Sequence, residues 1–121
     1  MKEEFYRKKL GNGLTILFEK RKLPVVAVSA SIKHGSGFDS ISKKGISHFA
    51  EHLMFKGTKK RTQEQITGEI EKKGGIINAF TAEEFTTYLN KLPSKFLEIG
   101  VDISSDLILN PKFDAVEFEK E

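Results

Sequence analysis

Two histidines four residues apart, with a glutamate between them, are the part of this sequence best suited to chemistry. They are His48 and His52, and Glu51 comes directly before the second. On a helix of 3.6 residues per turn, all three share one face. Two neutral imidazoles can hold Zn2+, and a carboxylate that is not a ligand can take a proton from a bound water whose pKa the metal brings to about 7. The spacing therefore predicts a hydrolytic zinc site, in the reverse order of the commoner His-Glu-x-x-His.

A solvated polar helix face is the alternative explanation of the same five residues, because short motifs recur by chance. The flanking residues decide between the two. Gly45-Ile46-Ser47 lead into the motif, and residues 53–58 (Leu-Met-Phe-Lys-Gly-Thr) leave it. The whole segment resembles the zinc-binding segment of the pitrilysin, insulin-degrading and mitochondrial-processing peptidase family, usually called M16.

The resemblance covers most of positions 10 to 92. Upstream, residues 35–39 (Gly-Ser-Gly-Phe-Asp) resemble the family's glycine-serine turn with an acid after it. Downstream, residues 74–81 (Gly-Gly-Ile-Ile-Asn-Ala-Phe-Thr) resemble its second block, which continues through Glu83, Thr86 and Tyr88. Ordered blocks at matching spacing are far more specific than a five-residue motif.

This sequence departs from the family pattern at three positions. Asp39 stands where glutamate is common, Gly37 where the family often has a bulky or charged residue, and Ser47 where alanine is common. None of the three is expected to touch the chemistry.

The resemblance implies a role for each residue of the motif. His48 and His52 would bind zinc, and Glu51 would act as general base and return the proton to the leaving amine. The implied third ligand is a glutamate about seven residues past Glu121, on the helix that begins at Asp114. Glu121 itself matches a supporting acid on that helix, and a solvent-facing helix glutamate is the alternative.

The resemblance also implies how substrate binds and how the protein is built. Asn78, Ala79 and Phe80 would lie on an edge strand to which an extended peptide adds as a further strand; ordinary sheet pairing is the alternative. The implied fold is α+β, a mainly antiparallel sheet with helices packed on one face. Residues 1–121 would form the amino-terminal part of one catalytic domain, truncated at its carboxyl end. The second half of the enzyme or another subunit would close a chamber, so we expect this part alone to be inactive.

Composition sets further limits. At 121 residues the chain is one domain by length. No apolar run is long enough to cross a bilayer, and the first seven residues lack the apolar core of a secretory signal, so we expect no membrane partner and a cytoplasmic location. The absence of cysteine restricts metal ligands to His, Asp and Glu.

Charge divides the chain into two halves. Residues 1–61 hold 14 basic and 5 acidic residues, whereas residues 62–121 hold 6 and 12. The best candidate for a nucleic-acid face is the cluster Lys56, Lys59, Lys60 and Arg61. The cluster lacks the interleaved aromatic residues that stack on bases, so we favour a solvated face or one that pairs with the acidic half, and we expect no nucleic-acid partner.

The remaining pattern predicts the elements that position the motif. Strands are expected at 14–18, after the turn Gly11-Asn12-Gly13, and at 25–32, the second being central and covered on both faces. Helices are expected at 45–56, from the capping box at Thr62 to Gly74, from Pro93 to Asn110, and from Asp114 onward. Residues 76–81 and 85–92 are expected to form a hairpin.

Three more acidic or imidazole side chains lie near the predicted site. His34, at a strand end, could approach the metal, although an exposed or satisfied histidine is the commoner case. Glu83 and Glu84 are expected to be solvated at the hairpin tip. Two rival functions remain open: a non-catalytic scaffold subunit of the same fold, and a basic nucleic-acid-binding module.

Overall fold

A computed structural model describes residues 4–121, which form five strands and four α-helices. In chain order they are β1 (Glu4–Lys9), β2 (Thr15–Lys20), β3 (Val25–Ile32), α1 (Ile46–Met54), α2 (Gln63–Glu71), β4 (Ile76–Thr81), β5 (Thr86–Pro93), α3 (Leu97–Leu109) and α4 (Ala115–Lys120). Short 3-10 turns at Ser36–Phe38, Ile41–Lys43 and Ser94–Phe96 connect some of them. No helix in this part of the chain is long and apolar enough to cross a membrane.

The strands form two antiparallel sheets. β1 and β2 make a separate hairpin, and the larger sheet has the order β3-β5-β4. The prediction that β3 is central is therefore wrong: within residues 4–121 it lies at an edge, and β5 is the central strand. The small residues on one face of β3 indicated that other elements pack closely against that face, yet Val25 and Ala27 are exposed there. Small side chains permit close packing but do not require it.

The core lies between the larger sheet and three helices. β5 contributes Tyr88 and Leu92, α2 contributes Ile66 and Ile70, and α3 contributes Ile103 and Leu107. Met54, at the end of α1, joins the same cluster. Tyr88 and Leu92 are an even number of residues apart and share one sheet face. The expectation of an α+β fold with helices on one face of an antiparallel sheet is confirmed.

Local signals explain where the helices begin. Thr62 and Gln65 form both hydrogen bonds of a capping box at the start of α2, and the Asp114 side chain accepts bonds from the first amides of α4. α3 approaches the sheet closely at Gly100, where an added Cβ would lie 2.6 Å from Asn90 Oδ1. The buried Asn90 amide donates to the Gly100 carbonyl at 3.0 Å, so this contact fixes α3 on β5.

A charged cluster ties the loop after α1 to α3. The Arg61 guanidinium donates to Glu69 Oε1 at 3.0 Å, to Asp106 Oδ2 at 2.9 Å and to Asp102. The Asp106 side chain is only 2% exposed and also accepts a bond from Thr58 Oγ1 at 2.6 Å. Although burial alone would raise the pKa of Asp106, the hydrogen bonds that it accepts, chiefly from Thr58, hold this pKa below its ordinary value.

Replacing Arg61 with alanine should destabilise the fold strongly, because it leaves the buried Asp106 carboxylate without its cation. We expect the free energy of unfolding to fall by about 3 kcal/mol. Lys60→Ala, at the exposed neighbouring position, is the control and should cost at most about 0.5 kcal/mol. Urea denaturation measures both free energies of unfolding, provided that the variants have the same m-value as the native protein. Equal losses of stability in the two variants would contradict a structural role for Arg61.

Candidate metal centre

The α1 helix brings the three motif side chains to one place, as their spacing predicts. His48 Nε2 lies 3.0 Å from His52 Nε2, with the two rings nearly perpendicular. One ligand atom from each of His48, Glu51 and His52 can be chosen so that all three lie within 4.8 Å of one another. The two histidines are exposed, whereas Glu51 is buried.

This donor set fits zinc. Two nitrogens that each lie about 2.0–2.1 Å from one tetrahedral zinc are about 3.3 Å apart, close to the separation seen here. Both Nε2 atoms point to the same space, and nitrogen ligands suit zinc better than they suit Mg2+ or Ca2+. His48 and His52 are therefore the residues that would hold the metal.

Glu51 has a different environment from the two histidines. Glu51 is only 7% exposed. Its Oε2 accepts a hydrogen bond of 2.5 Å from Thr81 Oγ1, at the end of β4. Burial, and then the charge of Glu51, raise the pKa of Tyr88 above its ordinary value. The Tyr88 hydroxyl donates to Met54 Sδ at 2.8 Å. The carboxylate is thus held at the inner wall of the site.

Glu121 lies beside the site, at the position that the family resemblance assigns to a supporting acid. Its Oε2 is 3.3 Å from His52 Nδ1, and its Oε1 is 2.7 Å from Lys56 Nζ. The Lys56 ammonium, and then His52, lower the pKa of Glu121, while Glu121 raises the pKa of Lys56. An ionised acceptor at Nδ1 favours the tautomer with its proton there, which leaves the Nε2 lone pair free for a metal.

An open cleft of about 420 Å³ adjoins these side chains. It is lined by Ser36, His48, Glu51, Ala79, Phe80 and Thr81. Ala79 and Phe80 are two of the three residues expected to bind substrate, and β4 is an edge strand of the sheet in the part of the chain described. The third, Asn78, is exposed next to them, where its Oδ1 accepts a bond of 2.8 Å from the Ala79 amide. Their binding role stays a prediction.

Three nearby side chains stay outside the cluster. His34 stacks on the Phe38 ring, with centroids 5.2 Å apart, and is not among the grouped ligand atoms of residues 4–121. Glu83 and Glu84 are exposed at the tip of the β4–β5 hairpin.

A glycine-containing loop holds the start of α1 against that hairpin. The amides of Ser36 and Gly37 donate to the carbonyls of Ala82 and Glu83 at 2.9 and 2.8 Å. A Cβ at Gly35 would lie 2.1 Å from the Ala82 carbonyl oxygen, and one at Gly37 would lie 2.8 Å from that of Glu83. The two backbones therefore approach closely because no side chain separates them.

Asp39 at the end of this loop caps α1. Its Oδ2 accepts bonds from the amides of Gly45 (3.0 Å) and Ser47 (3.4 Å), and its Oδ1 accepts one from the Ser47 hydroxyl. The Ser47 side chain is the main cause of an Asp39 pKa below the ordinary value. Asp39 and Ser47 are two of the three departures from the family pattern, and they contact each other. The sequence analysis assigned no role to either residue. A signal was available, because an acid and a hydroxyl that both depart from the family pattern can form a hydrogen bond with each other.

Comparisons with known proteins agree with this geometry. Residues 15–121 match the family described as Insulinase (Peptidase family M16). An uncharacterised zinc protease of Rickettsia bellii is 40% identical over 122 residues, which cover 100% of this chain and 30% of the relative. The mitochondrial-processing peptidase subunit beta of Blastocladiella emersonii is 40% identical over 93% of this chain and 24% of its own length.

Solved structures share the fold. A protease from Helicobacter pylori superposes with a TM-score of 0.92 at 26% identity, over 98% of this chain and 29% of the other. Pitrilysin superposes with a TM-score of 0.89 at 25% identity, over 98% of this chain and 13% of the other. The chain belongs to peptidase family M16 and spans about a third or less of each relative named here.

Replacing Ser47 with alanine should raise the pKa of Asp39 towards its ordinary value, because the main hydrogen bond that stabilises the carboxylate is removed. The pKa of Asp39 is lower in the folded state than in the unfolded state. The stability that this carboxylate contributes is therefore fully present at pH values above its ordinary pKa, and it is lost as the pH falls through the folded-state pKa. NMR titration of the Asp39 carboxyl measures the change. Ser42→Ala, in the exposed turn nearby, is the control, and an unchanged Asp39 titration in Ser47→Ala would contradict the contact.

Proposed function

We propose that this chain carries the metal site of a zinc-dependent endopeptidase that hydrolyses peptide bonds in unfolded peptides or presequences. The observation that supports it best is the convergence of two imidazole Nε2 atoms and a buried carboxylate within 4.8 Å beside an open cleft. A fold that served only assembly would not need this convergence. Membership of a peptidase family agrees with it.

Each side chain of the site has a distinct task in this proposal. His48 and His52 hold zinc, which when bound supplies a Lewis acid that lowers the pKa of water and polarises a carbonyl. Glu51 accepts a proton from water as the water oxygen bonds to the carbonyl carbon, and delivers that proton to the amine nitrogen when the C–N bond breaks. Its burial limits the contact of this carboxylate with bulk solvent. Glu121 orients the His52 ring.

Substrate would add to the free edge of β4. The Ala82 amide donates to the Phe85 carbonyl at 2.8 Å, so these two residues form a hydrogen-bonded pair. Along an antiparallel ladder, hydrogen-bonded pairs alternate with pairs that lack hydrogen bonds. Ala79 is three residues from Ala82 and lies in a pair that lacks them, so its amide and carbonyl point away from β5. The Ala79 amide donates a hydrogen bond to the Asn78 side chain, which supports the outward direction of that amide. A peptide carbonyl would replace Asn78 Oδ1 there. Main-chain pairing of this kind tolerates many side chains.

A larger assembly is part of the proposal. The relatives named above are at least three times as long as this chain, and one of them is named as a subunit. The open cleft leaves one side of the site uncovered. A second half of the enzyme, or another subunit, would close a chamber over it.

The nucleic-acid alternative is weakened by the contacts of its own candidate residues. Arg61 is bound by three carboxylates, and Lys56 is paired with Glu121. Two of the four cations in the basic cluster are therefore already neutralised within the fold.

Replacing Glu51 with glutamine in the full-length protein should abolish peptide cleavage and leave zinc bound, because the amide keeps the shape but cannot accept the proton. We expect the rate to fall at least about a hundredfold. Cleavage of an unfolded peptide and zinc content by atomic absorption measure the two effects. Glu83→Gln, at the exposed hairpin tip, is the matched control and should retain full activity.

The outcomes separate the three functions. Unchanged cleavage in Glu51→Gln would exclude Glu51 as the base, and a native protein without zinc or cleavage would favour the scaffold. Salt-sensitive binding of DNA or RNA by the native protein would favour the nucleic-acid module.

Backbone methylation of the substrate tests the proposed strand addition. A peptide N-methylated at residues that pair with Ala79 loses a ladder hydrogen bond, so its KM should rise about tenfold, equivalent to one hydrogen bond. Methylation at the alternate residues, whose amides point away from β4, should change KM less than about twofold. Equal effects at all positions would contradict pairing along this edge.

A further inference from the structure

We propose that Thr81 is a positioning residue that fixes the orientation of the Glu51 carboxylate. This inference rests on the proposed function and adds to it a residue whose role neither the sequence motif nor the family match defines. The Thr81 hydroxyl would hold one carboxylate oxygen of Glu51 and leave the other facing the reacting atoms.

The contact is specific to one oxygen. Thr81 Oγ1 donates to Glu51 Oε2, and no other protein donor within residues 4–121 is seen to bond this carboxylate. The Glu51 residue is only 7% exposed, so most of its surface is covered by protein and not by solvent that could substitute for the Thr81 hydroxyl. The hydroxyl is therefore the one directional restraint on the side chain in the described part of the chain.

Thr81 is itself well fixed. It is the last residue of β4, opposite Thr86 in the sheet register, and the next residue, Ala82, donates its amide to the Phe85 carbonyl at 2.8 Å. The Thr86 hydroxyl donates to the His34 carbonyl at 2.8 Å, which anchors the neighbouring strand end. A β-branched side chain also has few rotamers, so the Thr81 hydroxyl is delivered at a defined place.

Without this hydroxyl the carboxylate can turn. The terminal torsion of a glutamate is broad and roughly two-fold, so packing alone does not set the plane of the two oxygens. A Glu51 carboxylate oxygen lies within 4.8 Å of a ring nitrogen of both His48 and His52. A turned carboxylate could therefore approach the position of the metal. Thr81 thus keeps Glu51 available as a base instead of a ligand.

Three substitutions in the full-length protein test this inference. Thr81→Val keeps the shape and removes the donor, Thr81→Ser restores the hydroxyl, and Thr67→Val makes the same change on α2, where the hydroxyl only bonds the Gln63 carbonyl. We expect Thr81→Val to lower kcat at least about tenfold with KM within twofold, because a displaced base loses rate without losing substrate binding. Thr81→Ser should recover most of the rate, and Thr67→Val should be unchanged.

Crystal structures of the metal-free variants give a second readout that does not depend on activity. In Thr81→Val the Glu51 carboxylate should leave its present position or adopt several orientations, and in Thr81→Ser it should return. Zinc content should stay the same in all variants.

A Thr81→Val protein with native kcat, or with an unmoved carboxylate, would overturn the inference. So would a Thr81→Ser protein that regains the carboxylate position but not the rate. If the native protein neither binds zinc nor cleaves peptides, the proposed function fails, and the carboxylate positions in the crystal structures still decide whether Thr81 orients Glu51.

Discussion

One turn of the α1 helix is the constraint on which the site depends. Its geometry places the His48 and His52 side chains on one face, where their Nε2 atoms lie 3.0 Å apart. A helix of nine residues is marginal in isolation, however, so both of its ends must be held by the rest of the fold. Asp39 satisfies amides at the start, and Met54 enters the core at the end.

The position of that helix over the sheet is a separate problem, solved by contacts between distant parts of the chain. The loop around Gly35 and Gly37 docks on the hairpin tip through backbone bonds that a side chain would prevent. Thr81 then reaches from the same hairpin to Glu51. Because both contacts use the β4–β5 hairpin, the base, the metal ligands and the free edge of β4 are placed relative to one another by one small unit.

Sequence reasoning predicted what is local and missed what is not. The turn of α1, the capping box at Thr62 and the β4–β5 hairpin depend on neighbours within a few residues, and each formed as expected. β1 was missed because its exposed, charged residues show no buried alternation. The edge position of β3 and the contact of Thr81 with Glu51 depend on partners 30 or more residues away. The Asp39 contacts depend on a loop that folds Gly45 and Ser47, six and eight residues away, back onto its carboxylate. Spacing alone encodes neither.

The uneven charge of the two halves of the chain also has a structural explanation. Arg61, from the basic half, binds three carboxylates of the acidic half, and Lys56 pairs with Glu121. The second pair bears on the site, because Lys56 holds one oxygen of Glu121 while the other faces His52 Nδ1. A partly exposed ion pair at the surface contributes little to stability. Its effect is to orient the carboxylate, so that charge complementarity within the fold serves the geometry of the imidazole that would bind the metal.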